Sequence, residues 1–291
     1  MDNISTLILA GALFIIMLGM GLSLKSEDFK RIALYPKGIF VGLTNQLVLL
    51  PIVGLLIAVF LNLAPEIAIG IMILSACPGG PTSNLISHLA KGDLALSVTL
   101  TALSSLITIL TIPFIVNFSL EYFLGAGQII ELNVLQTIAQ IFVIVVIPIG
   151  IGMLIRKYKA TFALKMAKPV RIASGILLAL IIVALVVKER ANFVSYFEQA
   201  GLATLLLNLV TMGLGFISAK AFKLRRQSAV SIAIESGIQN GTLAITIAVL
   251  LLQNTTYAIA PAVYSLLMFI TGFGVIYLST KSEKNSKESA A

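Results

Sequence analysis

The sequence predicts an all-α polytopic membrane protein, and three observations predict it. Of 291 residues, 58% are hydrophobic and 11% charged, against roughly 45–50% and about 25% in soluble domains. Nine apolar runs follow one another, each near the ~20 residues a helix needs to cross the hydrocarbon core. Between those runs, 18 of the 20 Lys and Arg residues fall in alternate connections or in the C-terminal tail. One His, one Cys and no Trp exclude an internal disulfide framework and a Cys/His metal cage. Basic residues spread along an apolar chain do not form a nucleic-acid-binding surface, so the lipid bilayer is the expected partner.

In chain order the runs are Ile4–Leu24, Lys37–Leu61, Glu66–Leu89, Leu94–Leu120, Val134–Ile155, Ile172–Val187, Ala200–Ala221, Ala229–Leu252 and Tyr257–Ser279. Short connections place them in one transmembrane domain over residues 1–280. Residues 281–291 (KSEKNSKESAA) read as a disordered polar tail. Asp2 precedes the first run and its basic residues follow it, which is not the pattern of a cleavable signal peptide. The first connection carries Lys25, Lys30, Arg31 and Lys37, the third Lys91, and the fifth Arg156, Lys157, Lys159, Lys165, Lys168 and Arg171. The seventh carries Lys220, Lys223, Arg225 and Arg226, and only Lys188 and Arg190 lie opposite. Because basic loops stay in the cytoplasm, the N-terminus is expected outside the cell membrane and the C-terminus inside.

Two runs contain breaks that a plain membrane helix avoids. The third holds Pro78, Gly79, Gly80 and Pro81 in succession, and the eighth reads ESGIQNG from Glu235 to Gly241. Unwound backbone at membrane depth persists only where protein or a water-filled cavity satisfies it. Runs one to four and six to nine each place their broken member third, in opposite orientations, with the fifth run linking them. That arrangement predicts inverted-topology repeats whose broken helices cross near the midplane.

Glu235 is the one acidic residue well inside a run, and an ionisable side chain there costs at least about 2.5–3.5 kcal/mol. No Lys or Arg lies within another run to pair with it, so a bound cation or a proton is its natural partner. Small hard cations take oxygen ligands. Ser83 and Asn84 supply them after the first break, and Ser236, Gln239 and Asn240 after Glu235, with freed carbonyls at Ser236 and Ile238. The half-helix N-termini that follow each break favour an anion beside those cations. Sodium with a co-transported organic anion fits this electrostatics better than a cationic substrate.

The segments MLGMGLSLKSEDFKR (Met17–Arg31), CPGGPTSN (Cys77–Asn84) and ESGIQNGTLA (Glu235–Ala244) resemble the bile acid:sodium symporter family, in particular its prokaryotic members related to the apical sodium-dependent bile acid transporter. The resemblance covers nearly the whole chain. It implies a panel of helices and a core carrying two crossed, broken helices, in a version with nine spans. It implies two co-transported sodium ions. The first would use Ser83, Asn84, Ser97, Thr101 and Glu235, and Ser97 and Thr101, spaced i, i+4, share a helix face. The second would use Gln46, Glu235, Ser236, Ile238 and Gln239. Substrate would lie beside Thr82, Asn84 and Asn240, and would be bile acid-like or a small carboxylate such as pantoate or ketopantoate. Leu266–Ile270 reads LLMFI, apolar where some members place polar residues, which favours the smaller acids. Transport would proceed by alternating access; proton-coupled or passive organic-anion movement is the alternative. An enzyme is not expected, since the single His lies away from the midplane, no G-x-S-x-G occurs and no Asp lies in a run. Cys77, Met17 and Met20 read as packing residues, and His88 as an interfacial structural residue.

Overall fold

The computed structural model describes residues 3–30, 35–125, 133–190 and 193–288. All regular elements among them are helices. Besides a short helix at Ser26–Lys30 and a 3-10 turn at Thr256–Ala258, they are α1 (Asn3–Ser23), α2 (Pro36–Phe60), α3 (Pro65–Ala76), α4 (Pro81–Leu89), α5 (Leu94–Leu124), α6 (Val134–Tyr158), α7 (Ala160–Lys188), α8 (Phe193–Ala221), α9 (Arg226–Gly237), α10 (Gly241–Leu251) and α11 (Ile259–Glu288). Six are long and apolar enough to cross a membrane: α2, α5, α6, α7, α8 and the chain through Thr256–Lys281. The third and eighth runs are each split into two half-helices, α3/α4 and α9/α10.

Proline and glycine place the irregularities. Pro36, Pro65 and Pro81 open α2, α3 and α4 in the first turn, where a missing N–H costs nothing. Pro51 and Pro148 instead fall inside α2 and α6, and a π-helical turn precedes each, at Asn45–Leu49 and Phe142–Val146. The wider turn relieves the clash between the proline ring and the carbonyl four residues back. Asn45 and Gln46 thereby sit at the start of a widened turn.

The helices form two layers. α1 packs on α6 and α7 as one layer, and α2, α3, α5, α8, α9 and α11 form the other, holding α4 and α10. α1 and α6 meet backbone to backbone: a Cβ on Gly21 would lie 2.2 Å from the Ile149 carbonyl oxygen, and one on Gly152 would lie 2.5 Å from that of Leu18. Small residues permit such close approach between membrane helices. Outer faces carry Phe40, Phe114, Leu110, Val183 and Ile270, all exposed, as a lipid-facing surface requires. α3 and α9 are buried along nearly their whole length.

Three expectations are corrected. α7 begins at Ala160 rather than near Ile172, so Lys165, Lys168 and Arg171 belong to a helix, and Lys159 alone separates it from α6. α8 likewise begins at Phe193, not near Ala200. The expected disordered tail is helical from Lys281 to Glu288; residues 289–291, like Arg31, lie outside the described residues. The reason is the same in each case. Lys, Arg and Glu are good helix formers, and extending an existing helix adds one bond per residue without a new nucleus. Leaving the apolar layer ends a hydropathy run but does not end a helix.

Candidate functional site

The two breaks meet. Cys77 and Gly80 leave the helical region for extended backbone, as does Ile238. Gly79 and Gln239 form an antiparallel bridge, and Asn240 N donates to the Pro78 carbonyl at 2.9 Å. Each break thus satisfies the other's freed backbone. Gly79 leaves the room these side chains use, because a Cβ would stand 2.6 Å from Glu235 Oε2 and 3.0 Å from Gln46 Nε2 and the two ends would have to shift.

Glu235 is fully buried on the last turn of α9, facing that crossing. Its Oε1 accepts from Ser83 Oγ at 2.6 Å and Ser97 Oγ at 2.5 Å. Its Oε2 accepts from Thr101 Oγ1 at 2.8 Å and, at 3.5 Å, from Gln46 Nε2. Asn84 Oδ1 lies 2.9 Å from Ser97 Oγ and 3.2 Å from Thr101 Oγ1. Ser83 also reaches the Gly80 carbonyl, and Thr101 the Ser97 carbonyl. Three hydroxyls, with one proton each, therefore make seven acceptor contacts. The cluster has more oxygen acceptors than protons to fill them, and no Lys or Arg among the described residues forms an ion pair with Glu235.

On the other side of the carboxylate, Gln46 Nε2 donates to the Glu235 carbonyl at 2.8 Å. Gln239 Nε2 donates to the same carbonyl at 3.2 Å and to that of Ser236 at 2.8 Å. Gln46 Oε1 and Gln239 Oε1 are buried without a partner among the described residues. An unpaired buried oxygen carries its full desolvation cost, about 1–3 kcal/mol, so two of them beside one carboxylate mark a place where something else is accommodated. Ser236 and Ile238 are buried in the same turn, and Ser236 Oγ is committed to the Ile232 carbonyl at 2.7 Å.

The structure therefore brings Ser83, Asn84, Ser97, Thr101 and Glu235 into one cluster, and Gln46, Ser236, Ile238 and Gln239 into an adjoining one. Thr82, Asn84 and Asn240 line a cavity of about 560 Å³ between the crossing and the walls of α1, α7 and α11, a size typical of small-molecule sites. Asn240 Oδ1 caps α10 through Leu243 N at 3.1 Å. Cys77 and Met17 are buried as packing residues, while Met20, also buried, contributes to the cavity wall. His88 lies on that cavity as well, which its position in the sequence does not disclose.

Two residues of the site escaped the sequence reading. The Gly237 carbonyl, at the end of α9, accepts from Asn208 Nδ2 and from the Tyr264 hydroxyl, both at 2.5 Å. They fix the end of the half-helix that carries Glu235. Asn208 carries a usable signal, an amide in an apolar run just like Gln46; Tyr264 carries none.

A helical membrane protein with crossed half-helices, a buried carboxylate and an adjacent cavity has the parts of a solute transporter. The comparisons agree. The model of the sodium bile acid symporter family matches residues 10–196, and this chain belongs to that family. The uncharacterized sodium-dependent transporter YocS of Bacillus subtilis is 33% identical over 239 residues, covering 80% of this chain and 71% of YocS. The probable chloroplastic sodium/metabolite cotransporter BASS2 of Oryza sativa is 28% identical over 88% of this chain, which spans 60% of that protein. The human ileal sodium/bile acid cotransporter is 27% identical over 95% of this chain and 80% of its own length. The protein is a membrane transporter, not an enzyme.

Proposed function

We propose that this protein is a sodium-coupled symporter of organic anions working by alternating access across nine spans, with α3/α4 and α9/α10 as equivalent broken members of two inverted repeats. The observation that carries the proposal is the carboxylate of Glu235, buried between two oxygen-rich clusters with no cationic partner among the described residues. A first sodium ion takes Ser83, Asn84, Ser97, Thr101 and Glu235. Their surplus of acceptors over protons is the donor set a hard cation wants. A second takes Gln46, Glu235, Ser236, Ile238 and Gln239. Turning the two glutamine amides over exchanges each N–H₂ for the partnerless oxygen and leaves a cage of carbonyl oxygens around the ion. The names of the relatives, sodium/metabolite and sodium/bile acid cotransporters, support the same reading.

The organic anion binds beside Thr82, Asn84 and Asn240, at the N-terminal turns of α4 and α10, where backbone dipoles favour negative charge. Bile acid-like molecules and small carboxylates such as pantoate or ketopantoate fit that electrostatics; the apolar Leu266–Ile270 segment favours the smaller. With the N-terminus outside, the cavity runs along the cytoplasmic halves of α1 and α7, as expected of an inward-facing state.

Uptake of a panel of labelled organic acids into proteoliposomes, with and without an inward sodium gradient, tests the proposal. Sodium-driven accumulation is expected. Accumulation driven equally by an acid-outside gradient in sodium-free buffer identifies a proton-coupled carrier instead, and equilibration without accumulation identifies a passive one.

A further inference from the structure

α4 presents two faces. Ser83 and Ser87 are fully buried within the protein, while Pro81, Asn84, Leu85 and His88 line the cavity, with the i, i+3, i+4, i+7 spacing of one helical stripe. His88 is exposed, and its imidazole makes no hydrogen bond or ion pair with any described residue. It is also the one ionisable side chain among the described residues that line the cavity. A histidine that joins helices holds a partner; this one has none among the described residues and lines the space a ligand would fill. It lies one helical turn beyond Asn84, about 6 Å further from the crossing. Met20, Leu85, Val98, Leu178 and Phe269 supply apolar wall to the same cavity.

We infer that His88 is a second anchor of the substrate site, and that the transported acid carries a hydrogen-bond acceptor about 6 Å from the carboxylate held at the crossing. Hydroxyl, keto and second carboxylate groups all qualify, because imidazole offers at least one N–H in either protonation state. The inference rests on the symport reading for the position of the first carboxylate. Both partners bond to water when apart, so the gain from one such contact is modest. A preference of about three- to tenfold is expected, not absolute selection.

The test compares valerate, 5-hydroxyvalerate and glutarate, bound and taken up by the full-length protein in proteoliposomes, with and without a sodium gradient. The wild type is expected to show a KM about three- to tenfold lower for the two acids with a distal acceptor, with kcat little changed. In His88→Leu the three KM values converge; His88→Gln, which keeps a donor, restores the preference. Equal KM values in the wild type, or a preference that survives His88→Leu, overturns the inference. Loss of sodium dependence across the series overturns the symport reading, while the ratio of glutarate to valerate still judges His88. Failure to bind any of the three overturns the inference even where other acids are transported.

Discussion

Replacing Gly79 by Ala places a methyl group 2.6 Å from Glu235 Oε2, 3.0 Å from Gln46 Nε2 and 3.5 Å from Ser83 Oγ. Gly79 does not adopt a positive φ, so alanine meets no backbone strain and the effect is steric. The carboxylate is the end of a side chain and can yield, but only by stretching its bonds from Thr101 and Gln46. The fold is therefore expected to survive while the space between Glu235 and Gln46 is filled. Forcing a methyl group into packed space costs about 1–3 kcal/mol. Charged to ion binding at about 1.4 kcal/mol per decade, that weakens sodium affinity by roughly tenfold or more. Gly80→Ala is the matched control, since its Cβ would stand 3.5 Å from Asn240 Cα, an ordinary contact.

Two assays read the difference. The half-saturating sodium concentration for uptake should rise about tenfold in Gly79→Ala and stay near the wild-type value in Gly80→Ala. Stabilisation of the purified protein by sodium, which follows from binding to the native state alone, should shift in the same way without any substrate. A folded Gly79→Ala protein with wild-type sodium dependence in both assays refutes the reasoning, and so does an equal loss in Gly80→Ala.

Glu235→Gln should abolish concentrative uptake in a folded protein, because it removes the one full negative charge shared by the two proposed sodium sites. Two sodium ions with one monovalent carboxylate carry a net charge of +1, worth about 2.3 kcal/mol per 100 mV, so wild-type uptake should accelerate when the vesicle interior is made negative; an indifferent rate excludes that stoichiometry. Gln46→Ala and Thr101→Ala should each raise the sodium requirement while leaving the protein folded, and unchanged sodium curves in both reassign these residues to helix packing. Tyr264→Phe combined with Asn208→Leu leaves the Gly237 carbonyl without its two side-chain donors. Such a loss costs about 1–3 kcal/mol, and it should lower the melting temperature measurably in detergent; an unchanged value shows that α9 ends without their help.

What could be read from the sequence depended on whether the signal was local. Glu235 stood out because a carboxylate in an apolar run is costly wherever it points, and Pro78–Pro81 because four helix breakers in succession admit no continuous helix. Gln46 and the Ser97/Thr101 pair were weaker, since amides and hydroxyls in membrane helices usually serve packing; the family resemblance selected them. The bridge between Gly79 and Gln239 joins residues 160 positions apart in the chain, and no local pattern announces it. Asn208, Tyr264 and His88 matter through what lies opposite them, which is a tertiary property. The misplaced start of α7 has the opposite cause. Hydropathy reports where the membrane ends, and the basic residues from Lys165 to Arg171 continue the helix beyond it.

Asn84 shows how the proposed ion and substrate sites are joined. Its Oδ1 faces Ser97 and Thr101 in the carboxylate cluster, and the same residue lines the cavity. A planar amide cannot turn one end without turning the other. A cation that engages Oδ1 therefore fixes the direction in which Nδ2 donates, and it does so before substrate arrives. When the cation is absent, Oδ1 is held only by hydroxyls that have other acceptors to serve, and the amide is free to reorient. The two glutamines obey the same rule on the far side of Glu235, where turning each amide converts a donor to a backbone carbonyl into a ligand. Coupling on this account needs no long-range movement to begin. On the proposed two-site reading, one sodium ion holds the Asn84 amide in the sense it already has and the other turns the two glutamine amides over, and Gln239, which lines the cavity beside Asn84, carries that change to the substrate.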